Sequence, residues 1–271
     1  MRVFAIALLM LFSVAATAAP RAEKISWKHG KKTFDGYLVW DDSTNTPRPG
    51  LLMTPNWYGV NASAIEKAKT LAGDDYVILL VDMYGRGVRP RNADEAGKAA
   101  TGVYSDNPRL RGRINAALAT LRGAGKRAPV DTTKIGAIGF CFGGAVTLEL
   151  VRSGAELSGA ATFHANHATT APAKAGELKA PVLVMNGADD SFVPGEQIAG
   201  FEKEMRDAGA DWQFVNFGGA VHCFAEPDED GSVLKGCKYH APSYRRSVAM
   251  MHDFFGEAFA RSIKCGKSTF H

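Results

Sequence analysis

Three positions, far apart in the chain and in a fixed order, have residue types that could perform covalent catalysis: Cys141, the aspartate pair Asp189 and Asp190, and His222. Cys141 sits in Gly139-Phe140-Cys141-Phe142-Gly143-Gly144, preceded by Lys134-Ile135-Gly136-Ala137-Ile138 and followed by Ala145-Val146-Thr147-Leu148-Glu149-Leu150. A strand that enters a sharp turn and leaves as a helix holds the turn residue out at the carboxyl end of a sheet, the geometry of a nucleophile elbow. Glycines two residues to either side of the cysteine remove side chains that would clash where the backbone bends and the helix crosses the strand. The start of the following helix favours negative charge, so a thiolate and any oxyanion formed beside it are stabilised there. The backbone N–H of Phe142 is the natural first oxyanion donor. Taken alone, this turn fits a small buried cysteine or a phosphate-binding loop equally well.

Partners decide between these readings. In elbow enzymes the acid and base follow the nucleophile in the chain, on loops beyond later strands. Pro181-Val182-Leu183-Val184-Met185-Asn186 ends in Gly187-Ala188-Asp189-Asp190-Ser191-Phe192-Val193-Pro194, and Trp212 to Phe217 ends in Gly218-Gly219-Ala220-Val221-His222-Cys223-Phe224. His222 then deprotonates the thiol and protonates the leaving group, while an aspartate fixes the imidazole's tautomer. The other aspartate is expected to cap the helix from Gln197 or to lie in a polar turn. His164 and His167 have metal-ligand spacing but no carboxylate beside them, so we expect pocket lining or surface, with no metal and no cofactor. His29, His240, His252 and His271 have no such constellation around them.

The elements that must position these residues alternate between apolar runs bounded by turns and longer helical patterns. This alternation predicts an α/β fold with a mostly parallel sheet covered on both faces. Strands are expected at Thr33 to Val39, Gly50 to Met53, Tyr76 to Asp82, Lys134 to Phe140, Gly159 to Phe163, Pro181 to Asn186 and Trp212 to Phe217. Helices are expected at Ala62 to Leu71, Pro108 to Leu121, Gly143 to Arg152, Gln197 to Ala208 and Ser243 to Ile263, the last packing Val248, Met251, Phe254 and Phe255 on the sheet. The polar stretch Asp41 to Pro49 reads as an exposed turn, too short to divide domains, so residues 20–271 form one domain.

Ahead of that domain, Met1-Arg2, an apolar run from Val3 to Val14 and Ala15-Ala16-Thr17-Ala18-Ala19 have the layout of a secretory signal peptide at residues 1–19, cleaved near Ala18 or Ala19. The run is shorter than the roughly 20 residues that span a bilayer, so the mature protein is expected to be secreted or periplasmic, with no membrane association. Net charge is +4, and Arg109, Arg111, Arg113, Arg122, Lys126 and Arg127 lack interleaved aromatic residues. A solvated helix face is expected there, and no nucleic-acid partner. If Cys141 is a working thiol, Cys223, Cys237 and Cys265 can form one bridge. Cys223 with Cys237 would close a short loop beside His222, and Cys237 with Cys265 is the competing pair.

The elbow resembles the G-x-C-x-G-G motif of the dienelactone hydrolase family, within the α/β-hydrolase superfamily. The segments Gly187 to Pro194 and His222-Cys223-Phe224 with Pro227 are similar to that family's acid and histidine segments, and the likeness covers most of the mature chain. The resemblance implies a Cys141, Asp190 and His222 triad acting on a small ester or lactone, in a monomer or homodimer. Asp82-Met83-Tyr84-Gly85-Arg86 is similar to a segment whose arginine binds a substrate carboxylate, which makes Arg86 and Tyr84 candidate substrate contacts. An exposed loop arginine is the alternative for Arg86. Pro55-Asn56-Trp57-Tyr58 follows the early strand that carries the second oxyanion donor, pointing to the Trp57 N–H. Asn56 stands where the family has a thiol-activating glutamate, and an amide cannot accept a proton. A homologue with weak or lost chemistry, binding a small ligand, is the competing expectation.

Overall fold

The computed structural model describes residues 20–265. The signal-peptide expectation, with its cleavage at Ala18 or Ala19, therefore lies outside the described residues. The chain begins with a hairpin of β1 (Arg21–His29) and β2 (Lys32–Trp40), then β3 (Arg48–Thr54), α1 (Ala62–Ala72) and β4 (Val77–Leu80). Two helices follow, α2 (Ala93–Tyr104) and α3 (Asn107–Arg122), then β5 (Val130–Phe140), α4 (Phe142–Arg152) and β6 (Gly159–Phe163). The chain continues through β7 (Val182–Gly187), α5 (Gly195–Asp207), β8 (Trp212–Phe217) and α6 (Ala241–Cys265). These strands form one eight-stranded sheet in the order β1-β2-β4-β3-β5-β6-β7-β8. From β4 to β8 every pairing is parallel, whereas β1 pairs antiparallel with β2 and β2 with β4.

The central parallel strands are buried where helices cover both faces, and their residues are accordingly mostly apolar: Val77-Ile78-Leu79-Leu80 in β4 is wholly buried, as is all of β6. On one face α1 and α6 contribute Ala68, Leu71, Met251 and Phe255, with Val248 and Phe254 packed at the margin of the same cluster. The other face is covered by Val103 of α2, Ile114 and Leu118 of α3, Val146 and Leu150 of α4, and Phe201 of α5. α4 is buried along its whole length, which fixes the elbow at its start to the middle of the core.

Two elements went unseen in the sequence. β1 alternates buried Ile25 and Trp27 with exposed Lys24, Ser26 and Lys28, so an edge strand with one wet face lacks the apolar run used as a signal. α2 buries only Ala96, Ala100 and Val103, a stripe of small residues without a large apolar side chain to mark it. Two of the basic residues expected on a solvated face turn inward instead. Arg113 is buried, donating to the Met83 carbonyl at 2.9 Å and lying over the Phe34 ring, while half-buried Arg111 pairs with Glu149. Arg109, Arg122, Lys126 and Arg127 are exposed, as a solvated face requires.

Candidate active site

The elbow is built by close approach. A Cβ on Gly139 would overlap the Gly143 carbonyl, and one on Gly143 would overlap the Thr54 and Pro55 carbonyls, so only glycine lets α4 cross β5 and β3 at this distance. Between them Cys141 takes φ 52° and ψ −118°, in the left-handed half of backbone space that costs a non-glycine residue of order 1–3 kcal/mol. Its N–H donates to the Phe163 carbonyl of β6 at 3.0 Å and its carbonyl accepts from Gly144, which hold the strained turn in place. Phe142 is the first residue of α4, so its N–H has no acceptor within the helix and is free to face an anion.

Beyond the ends of β7 and β8 the chain returns to this point. His222 Nε2 lies 3.2 Å from Cys141 Sγ, and His222 Nδ1 lies 2.7 Å from Asp190 Oδ2. Asp190 is itself fixed by accepting from the Phe192 N–H at 2.9 Å, and it is buried, whereas Asp189 is exposed. Neither aspartate caps α5, whose N-cap is Pro194, so the second aspartate is a solvent-facing turn residue. Burial by itself would lower the His222 pKa, but the facing Cys141 sulfur and the Asp190 carboxylate outweigh it and raise the imidazole to about 10. A disulfide joins Cys223 to Cys237 and so ties the residue after His222 to the loop of residues 228–236. That bridge excludes the competing Cys237–Cys265 pair. The Lys238 N–H donates to the His222 carbonyl at 2.9 Å, anchoring the same segment a second time.

Cys141 and His222 open onto a cavity of about 310 Å³ walled by Trp57, Tyr104, Phe142, Phe192, Val193 and Leu234. Asn166 also lines it, and no Arg, Lys, Asp or Glu does so among the described residues. Tyr104, Phe192 and Leu234 were not singled out from the sequence, since they reach the cavity from a helix and two loops whose neighbours are set only by the folded chain.

The remaining candidates fall around the cavity. The indole of Trp57 is in the wall, while Asn56 turns its Oδ1 to accept from the Tyr58 N–H at 3.1 Å and lines a separate small recess with Lys67 and Glu226. Tyr84 is buried behind the wall, its hydroxyl donating to the Trp57 carbonyl at 2.7 Å, so it braces the loop that carries the Trp57 N–H. Arg86 is not brought to the cavity. Its guanidinium makes a two-pronged contact with Asp35, Nε to Oδ2 at 2.9 Å and Nη2 to Oδ1 at 2.8 Å. That pairing holds the Asp35 carboxyl far below the usual carboxylate range, the Arg86 hydrogen bonds outweighing partial burial.

The two histidines after β6 are both buried rather than superficial. His167 packs on Phe201 and Phe214, and burial together with Arg152 pushes its pKa down to about 4. His164, wholly buried at φ 40°, stands edge-on to His222 with ring centroids 5.1 Å apart. Neither ring nitrogen of His164 has a hydrogen-bond partner, although Nε2 comes within 3.7 Å of Glu226 Oε1. Glu226 in turn forms a buried ion pair with Lys67, whose ammonium lies over the Phe140 ring.

The fold has counterparts among known proteins. The crystal structure of a dienelactone hydrolase-like promiscuous phosphotriesterase from metagenomic libraries superposes with a TM-score of 0.82 at 35% identity, covering 89% of this chain and 99% of that one. An esterase from Thermogutta terrifontis, at 18% identity and a TM-score of 0.61 over 87% of this chain and 94% of that one, shares the fold. Among curated sequences, a Methylorubrum extorquens protein carrying the name "Putative carboxymethylenebutenolidase" is 28% identical, over 68% of this chain and 69% of its own. The profile of the dienelactone hydrolase family matches residues 34–259, nearly the whole described fold from β2 to α6. The chain is an α/β-hydrolase acting on esters or lactones and belongs to the dienelactone hydrolase family.

Proposed function

We propose that Cys141 is the nucleophile of an exported hydrolase whose substrates are uncharged, apolar esters or lactones. The observation that carries this reading is the hydrogen-bonded chain Asp190, His222, Cys141 opening onto a cavity without a charged wall. The Cys141 thiolate attacks the substrate carbonyl carbon, and the Phe142 and Trp57 N–H groups receive the oxyanion. The His222 imidazolium then gives its proton to the leaving oxygen, and an acyl group remains on sulfur. Water, deprotonated by the now neutral His222, attacks that acyl group and the thiolate–imidazolium pair is restored. Asp190 keeps the Nε2 edge of the imidazole turned to sulfur throughout, a role for which general acid–base catalysis contributes typically about 10²–10⁴ in rate.

Substrate charge is the finer part of the proposal. A carboxylate in this cavity would find no cation, because Arg86 is held by Asp35 and lies outside the lining. Phosphotriesters, named as substrates of the metagenomic relative, are likewise uncharged. Asn56 supports a general esterase over the specialised lactone mechanism, since an amide cannot relay the thiol proton. Export rests on residues 1–19 and is checked by mass spectrometry of secreted material, where an intact Met1 would refute it. The activity test is hydrolysis of short-chain p-nitrophenyl esters and neutral lactones by the wild type and Cys141→Ala. Loss of at least a thousandfold in kcat/KM is expected, and equal rates would refute the nucleophile and favour a ligand-binding homologue.

A further inference from the structure

We infer that Cys141, His164 and His222 form a binding site for a borderline-soft divalent cation, Zn²⁺ foremost, that reversibly occupies the nucleophile. One ligand atom from each of the three residues lies within 4.8 Å of the other two, and two of the residues are buried. A tetrahedral zinc with Zn–S near 2.3 Å and Zn–N near 2.0–2.1 Å separates sulfur from nitrogen by about 3.5 Å. The Cys141 to His222 separation of 3.2 Å is close to that edge before any movement. His164 then needs to close by at most about 1.5 Å to complete a three-residue set, leaving the fourth tetrahedral position open to the cavity.

His164 is the residue the hydrolytic steps leave unexplained. It is an imidazole with no solvent exposure and no hydrogen-bond partner on either nitrogen, held at a positive φ directly beside His222. Buried polar groups are normally satisfied, and an unsatisfied one costs about 1–3 kcal/mol, so its lone pair is available to a metal without displacing another bond. Thiolate with two imidazoles is a donor set that suits zinc and disfavours magnesium and calcium, which take oxygen ligands. The surroundings complete the pattern of a metal-bound histidine. Asp190 accepts from the far nitrogen of His222, the carboxylate–histidine arrangement that orients imidazole ligands, and Glu226 Oε1 stands 3.7 Å from His164 Nε2. On binding, Cys141 coordinates as thiolate, His222 as neutral imidazole, and the proton shared by that pair leaves to solvent.

The test uses the purified metal-free chain and Co²⁺ as a spectroscopic substitute, followed by zinc competition against a chromophoric chelator. One cobalt per chain is expected, with a near-ultraviolet thiolate-to-cobalt charge-transfer band that Cys141→Ser abolishes and zinc displaces. His164→Asn, which keeps a side chain tolerant of positive φ, is expected to weaken zinc binding at least tenfold. X-ray absorption of zinc-loaded wild type serves independently of any variant's folding and should show one sulfur and two imidazoles. Absence of the band, or a single imidazole around zinc, would overturn the site. The readout needs no turnover, so it is separable from failure of the ester assay.

Discussion

Replacing both Cys223 and Cys237 with alanine removes the crosslink that secures the segment after His222. The two cysteines are 14 residues apart, and the loop-entropy relation for a closed loop of that size gives about 3 kcal/mol of lost stability. For a domain of this length each kcal/mol shifts the melting temperature by about 2–4 °C, so the midpoint should fall by about 6–12 °C. The enthalpic side of the change is small, since the Lys238 to His222 backbone hydrogen bond and the Tyr239 to Glu229 bond at 2.7 Å remain available to hold the loop. Differential scanning calorimetry of wild type, the double variant and each with dithiothreitol separates the causes. Reductant should lower the wild type to the level of the double variant and leave the variant unmoved. Kinetics on a p-nitrophenyl ester should show a higher KM, because Leu234 of the bridged loop is part of the cavity wall. A melting temperature within about 2 °C of wild type would refute the reasoning that an unfolded chain constrained at this separation is what the bond stabilises.

Asp190→Asn should lower kcat by about 10²–10⁴ with little change in melting temperature, because the amide offers its NH₂ where Nδ1–H needs an acceptor and turns the wrong edge toward sulfur. Arg86→Ala should leave KM for neutral esters within a factor of two and lower stability slightly at neutral pH, as its partner Asp35 keeps Lys24 and Ser26. Asp35 has a lowered pKa, so what Arg86 contributes is present above the ordinary aspartate pKa and disappears as pH falls below it; equal wild-type and variant stability at pH 6 would contradict this. His167 behaves in the opposite sense: the unfolded chain takes up a proton near pH 6.5 and the folded one only near 4, so stability drops by about 3 kcal/mol as pH falls through that window. His167→Phe should flatten that part of the urea-midpoint profile, and an unchanged slope between pH 7 and 4 would count against it.

The elbow was readable because its glycines, its strand and its helix are adjacent in the chain, and the order of nucleophile, acid and base is a property of sequence. Choosing between Asp189 and Asp190 needed the family likeness at that stage and the fold afterwards, since only the fold buries one and exposes the other. Arg86 was drawn as a substrate contact from a local likeness, yet its geometry is set by Asp35, which lies on a strand 51 residues earlier. His164 and Glu226 are 62 residues apart in number and come together beside His222 only when β6 and the loop after β8 line up at one end of the sheet. No periodicity carries such a meeting. β1 and α2 escaped for a local reason, their buried faces being narrow or made of small side chains.

The outer cavity wall draws Trp57 from the turn after β3, Phe192 from beyond β7 and Leu234 from beyond β8. Each of these surfaces hangs on a separate loop, while the elbow they enclose is bolted through α4 into both the sheet and the helical layer. Chemistry and appetite are thus carried by different parts of the chain: single loop exchanges can alter which acyl or alkoxy group fits, at little risk to folding, and leave the sulfur where it is.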